Sequence, residues 1–171
     1  TDGYAGALTL RDDLVFLADS AAGIKVFDVS RPELPLLVGS LLIDGYADGI
    51  AADDRYVYVA AWTGSFRVVD ALDPAAMVEV AALNSGERAH GVALGDGLAF
   101  VADFSDGLCA VDIADPDALH LLDCALLPGM ESVGVAVAGT LVATADRGAG
   151  MNLWDASNPA EILHLGTFPT A

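Results

Sequence analysis

Residues 14–35 read LVFLADSAAGIKVFDVSRPELP. An apolar run closes on Asp19, a small-residue turn follows with Gly23, and a second apolar run closes on Asp28 with a proline four residues later. The same pattern returns as YVYVAA (56–61) with FRVVD (66–70), LAFVAD (98–103) with LCAVD (108–112), and LVATAD (141–146) with MNLWD (151–155). Asp28, Asp70, Asp112 and Asp155 precede Pro32, Pro74, Pro116 and Pro159, and both columns step by 42, 42 and 43. Several short apolar runs in a unit of about 40 to 45 residues mark the blades of a β-propeller.

Working outward, each unit holds two further runs. A short, small-residue run comes first (7–10, 49–52, 91–94, 134–137), and LLVGSL, VEVAAL, HLLDCA and LHLGTF come last, after the proline. Gly and Asp clusters between the first two runs suit tight hairpins, so the strands of a unit are antiparallel. No stretch keeps a 3.6-residue period over ten residues. The fold class read here is all-β: one domain over 1–171, a propeller of four four-stranded antiparallel blades at roughly 4–45, 46–88, 89–130 and 131–171. The second and third strands, apolar without clean alternation, are expected to be the most buried. Four blades can close a ring alone, or form half of an eight-bladed ring made as a homodimer.

The composition is 54% hydrophobic and 19% charged, which suits strands covered on both faces. No apolar run reaches the 18 or so residues of a transmembrane helix, and the first residues show no basic-then-apolar leader. A net charge of −18 repels phosphate backbones and excludes nucleic acid as a natural partner. The acid excess with a single lysine, Lys25, fits either adaptation to high salt or a GC-rich genome.

The strand pattern V-x-V-A-D, a Gly-containing turn, and a strand ending D-V-S-x-P resembles the LVIVD repeats of bacterial and archaeal surface propellers. The resemblance is closest in the first and third units; the second has Ala61 in place of the strand-ending aspartate, and only the first keeps a second proline, Pro35. It implies an extracellular, cell-surface or periplasmic interaction module, without an assigned reaction.

In a propeller the loop after the second strand and the loop joining successive blades open on one face, where sites belong. Gly6, Asp48, His90 and Val133 share one position there, with Tyr4, Tyr46, Arg88 and Glu131 two residues earlier. Ser20, Trp62, Phe104 and Arg147 follow the second strands. Dissimilar polar and aromatic residues at equivalent positions are what an asymmetric site needs. The candidate binding residues are Tyr46, Asp48, Trp62, Arg88, His90, Phe104, Glu131 and Arg147, for a protein, glycan or small-molecule ligand.

Asp19, Asp103 and Asp146 end second strands and suit backbone capping; with Asp48 they also form a candidate site for calcium or another divalent cation, a hard ion that takes oxygen ligands. The Asp28 column, repeated before a proline turn, reads as turn capping. A catalytic alternative, a hydrolase or lyase on a glycan or small molecule, uses His90 as general base with Asp48 or Glu131 orienting it or acting as acid. Ser85, His90 and an aspartate make no triad from sequence alone, because geometry defines one.

Cys109 on a third strand and Cys124 on the neighbouring fourth strand lie symmetrically about the Pro116 turn, where other units pair Lys25 with Ser40, Arg67 with Ala82 and Asn152 with Thr167. They are predicted cross-strand neighbours, able to form a disulfide where their Cβ atoms lie about 3.5 to 4.5 Å apart. Such a bridge supports an oxidising compartment.

Overall fold

The computed structural model describes residues 3–63, 65–84 and 88–170. It contains four separate four-stranded antiparallel sheets, each made of consecutive strands. Blade 1 is β1 (Ala7–Arg11), β2 (Leu14–Ala18), β3 (Ile24–Asp28) and β4 (Leu36–Leu41). Blade 2 is β5 (Ala47–Ala52), β6 (Tyr56–Ala61), β7 (Ser65–Asp70) and β8 (Val78–Leu83). Blade 3 is β9 (Ala89–Gly95), β10 (Leu98–Asp103), β11 (Gly107–Asp112) and β12 (His120–Ala125). Blade 4 is β13 (Ser132–Ala138), β14 (Leu141–Asp146), β15 (Gly150–Asp155) and β16 (Leu163–Phe168). No helix among the described residues is long and apolar enough to cross a membrane.

The apolar runs become the second and third strands, and these carry most of the burial, above all β6, β7, β10 and β11. Val57, Ala99 and Val142 are buried, and in blade 1 the buried residue is Phe16, next to Val15. Three apolar clusters result, one at each junction between successive blades. Phe16 and Val26 meet Val57 and Val69, Tyr58 and Phe66 meet Ala99 and Val111, and Phe100 and Leu108 meet Val142 and Trp154. The inner strands follow suit: β1 packs on β5, β5 on β9 and β9 on β13, while β13 and β1 share no comparable packing. The blades form an arc.

The aspartate columns explain the turns. Asp28, Asp70, Asp112 and Asp155 each accept a hydrogen bond from the backbone N–H two residues on, at 2.8, 3.1, 3.0 and 2.8 Å. This is the Asx-turn expected of aspartate before a proline turn. The hydrogen bonds to Ser30 hold the Asp28 carboxyl below the usual 3.8, the Arg55 guanidinium does so for Asp70, and the Ser157 N–H does so for Asp155. Groups with lowered folded values stabilise the fold above the ordinary aspartate pKa, and that stabilisation is lost as pH falls through the lowered values. Melting temperature should therefore fall as pH drops below about 4. Asp70→Asn should flatten that slope; an unchanged slope would show that Asp70 carries none of it.

One third-strand column is held in four different ways. Lys25 pairs with Asp19, Arg67 bonds Glu79 and Asp44, Cys109 is disulfide-bonded to Cys124, and Asn152 bonds Asp146 and Thr167. Cys109 and Cys124 stand directly opposite each other in the β11–β12 ladder, which is what the bridge requires.

Candidate functional site

Three bulges build the site. In blades 2, 3 and 4 the ladder between the first two strands skips one residue, so Asp48, His90 and Val133 have no cross-strand partner. A bulge turns the skipped residue away from the regular pleat. These are the residues that the repeat aligns with Gly6, and all four line one cavity of about 260 Å³ among the inner strands, together with Ala7, Gly49, Gly91 and Gly134.

The two loop columns are stitched by backbone hydrogen bonds of 3.0 Å: Trp62 N–H to the Tyr46 carbonyl, Phe104 N–H to that of Arg88, and Arg147 N–H to that of Glu131. Side chains from different blades then meet. The Trp62 and His90 rings lie edge to face with centroids 4.3 Å apart, and Phe104 is 6.1 Å from Trp62 and 5.9 Å from His90. Arg88 stacks its guanidinium over Trp62 at 5.8 Å and over Phe104 at 5.5 Å; Arg147 stacks over Phe104 at 5.6 Å. Among the described residues, neither arginine has a carboxylate partner within salt-bridge distance. A second depression of about 300 Å³ is lined by Ser20, Tyr46, Asp48, Trp62 and His90.

Asp48 and His90 are common to both hollows. The Asp48 carboxylate meets Nδ1 of His90, whose side chain is only 10% exposed. Among the described residues, the buried Nε2 of His90 has no hydrogen-bond partner. The Asp48 carboxylate at Nδ1 fixes the orientation of the ring.

Seven of the eight candidate binding residues thus form one cluster. Glu131 joins only through its carbonyl and lines neither hollow, so the orienting carboxylate for His90 is Asp48. Ser20 is the addition. Its positive φ of 48° and its bridge to Ala47 carry the blade 1 loop across to blade 2, a backbone effect that its identity does not signal.

The cation set Asp19, Asp48, Asp103 and Asp146 is not assembled. Asp19 pairs with Lys25. Asp103 accepts from the N–H groups of Arg88, Ser105 and Asp106 at 3.1, 2.8 and 2.9 Å, which fixes the Arg88 and Phe104 loops. Asp146 is saturated by Ser132, Thr144 and Asn152. No group of three or more His, Cys, Asp or Glu among the described residues is arranged to hold a metal ion. Ser85 lies outside the described residues.

The family model of the LVIVD repeat matches residues 2–42, 44–84 and 86–123. This chain belongs to the LVIVD-repeat family. The fourth LVIVD-like unit lies beyond these matches but has the same four strands. No curated protein matches the chain. Among solved structures it is similar to the computationally designed Ika4 protein, at 15% identity and TM-score 0.74 over 91% of this chain and 92% of that one. It is also similar to the designed Ika8 protein, at 14% identity and TM-score 0.73, with 98% of this chain covering 50% of the other. These likenesses support the propeller fold.

Proposed function

We propose that this LVIVD-repeat chain is an extracytoplasmic binding module that takes, on the Trp62–His90–Phe104 face, a ligand pairing a planar or pyranose surface with an anionic group. The observation that carries this reading is the pair of guanidinium groups stacked on that aromatic cluster without carboxylate partners among the described residues. In a chain of net charge −18, cations at one mouth form a local sink for an anion. The rings supply stacking area at low entropic cost, and arginine offers a planar fork to a carboxylate. The disulfide supports an oxidising compartment.

Calorimetry with trigalacturonic acid against maltotriose tests this reading. The acidic sugar should bind more tightly, and Trp62→Ala and Arg88→Ala should each weaken it by about tenfold. Equal affinity for both sugars, or none for either, would overturn the reading.

The Asp48–His90 contact favours a second reading, a hydrolase or lyase with His90 as general base. Product release from the acidic sugar, abolished in His90→Asn with binding retained, would establish it; unchanged sugar after prolonged incubation would not.

A further inference from the structure

The two ends of the arc are unfinished in the same way. On blade 1, the face turned away from blade 2 carries Leu8, Leu10, Val15, Leu17 and Phe27, with Leu8 and Leu10 each 62% exposed. One repeat later the same positions are Ile50, Ala52, Val57, Val59 and Val69, all of which pack in the junction with blade 1. On blade 4, the face turned away from blade 3 carries Leu141, Ala145, Met151, Leu165 and Phe168, with Leu165 58% and Phe168 52% exposed. Their counterparts one repeat earlier, Leu98, Ala102, Leu108, Leu122 and Ala125, are wholly or partly buried in blade 3. Each end thus presents one half of a blade junction that is made three times within the chain.

Two glycines make the same point independently. A Cβ on Gly91 would come within 3.2 Å of the Gly134 Cα and 3.3 Å of the Val133 carbonyl oxygen, because the inner strands of blades 3 and 4 approach closely. The equivalent Gly134 meets nothing beyond its own blade, with the Ala145 Cβ at 3.6 Å. At the outer strand, a Cβ on Gly39 would lie 1.9 Å from the Pro74 carbonyl oxygen of the next blade, whereas the equivalent Gly166 meets only the Phe168 ring at 3.7 Å. Neither Gly134 nor Gly166 has the left-handed backbone that would itself call for glycine. Both leave room for a blade beyond these four.

We infer that the missing blade is blade 1 of a second copy: two chains related by a two-fold axis close an eight-bladed ring, blade 4 of each seated on blade 1 of the other. The register names the contacts. Gly134 approaches Gly6 and Ala7 of the copy, as Gly91 approaches Val133 and Gly134 within the chain, and Gly166 approaches the turn at Pro32, as Gly39 approaches that at Pro74. Superposition of the whole arc on half of a propeller chain twice its length fits this closure. The junction is heterologous, so one ring contains two of them, and the rotation between copies closes it instead of propagating a filament. The inner cavity, lined on this chain by one strand from each blade, gains the second half of its wall from the partner.

Sedimentation at two ionic strengths tests the ring. Wild type should sediment at twice the 17.5 kDa chain mass. Because each copy carries net charge −18, its dimer should tighten on going from about 0.1 M to 1 M salt, where the Debye length falls from about 10 to 3 Å. Gly134→Val and Gly166→Leu place their Cβ atoms at ordinary van der Waals distance from one neighbour in the single chain, so they should leave circular dichroism and melting of the monomer largely unchanged. Each should weaken association by about tenfold or more through overpacking. Leu8→Glu and Met151→Glu should each give monomers alone, and a mixture of the two should recover dimer, because one junction of the mixed ring is wild type on both sides. A monomer at every salt concentration, open polymers, a dimer insensitive to both glycine variants, or no recovery on mixing would overturn the inference.

Discussion

Trp154→Ala should remove about 3–5 kcal/mol of stability, the loss expected when a large buried aromatic leaves a cavity, and should lower the melting temperature by at least about 6 °C. Trp154 is 1% exposed and sits in the junction between blades 3 and 4. Its indole N–H donates to Thr144 Oγ1 at 3.0 Å, the Thr144 hydroxyl donates to Asp146 Oδ2 at 2.9 Å, and Asn152 donates to the same oxygen at 2.7 Å. The substitution therefore empties a cavity and takes one donor from a buried polar chain. Trp154→Phe keeps most of the apolar volume and loses mainly that hydrogen bond, for about 1 kcal/mol plus a smaller cavity cost. Urea unfolding of both variants separates the two contributions. If alanine cost no more than phenylalanine, the junction would be collapsing around the gap.

Residues that repeat at fixed spacing were legible in the sequence because repetition encodes the backbone. The Asp28, Asp70, Asp112 and Asp155 column predicts a turn, and every member caps one. The site was legible where residues depart from repetition: Asp48 and His90 occupy one column and Trp62 and Phe104 another, and the bulges and loop hydrogen bonds bring them together. What spacing does not encode is the direction of a carboxylate. Asp19, Asp103 and Asp146 share a column whose oxygens suit a hard cation, yet each is consumed by nearby donors: Lys25, the N–H groups after Asp103, and Ser132 with Thr144 and Asn152. Of these donors, Lys25, Ser132 and Asn152 lie on neighbouring strands and become partners only once the register is known. Spacing left a closed four-blade ring and an open half-ring as alternatives, since the rotation from blade to blade is set by side-chain volume at the junctions and not by the repeat length.

Replacing Cys109 and Cys124 together by alanine should cost about 3 kcal/mol, the chain-entropy value for a loop of this length, at a sequence separation of 15. The bridge closes the turn between β11 and β12 around Pro116, and Cys109 belongs to the junction of blades 2 and 3. Opening it frees the outer strand of a central blade, so destabilisation should reach blades on either side instead of staying local. Reduction of the wild type should shift melting down by about 6–12 °C for a chain of this size, while the double variant should be insensitive to reductant. Alkylation in denaturant gives an independent readout: no label before reduction, two labels after. Two labelled thiols without reductant in protein from its native compartment would remove the disulfide, and with it the oxidation argument for an extracytoplasmic module. The aromatic–cationic face would still stand, because its stacking geometry does not depend on where the chain resides.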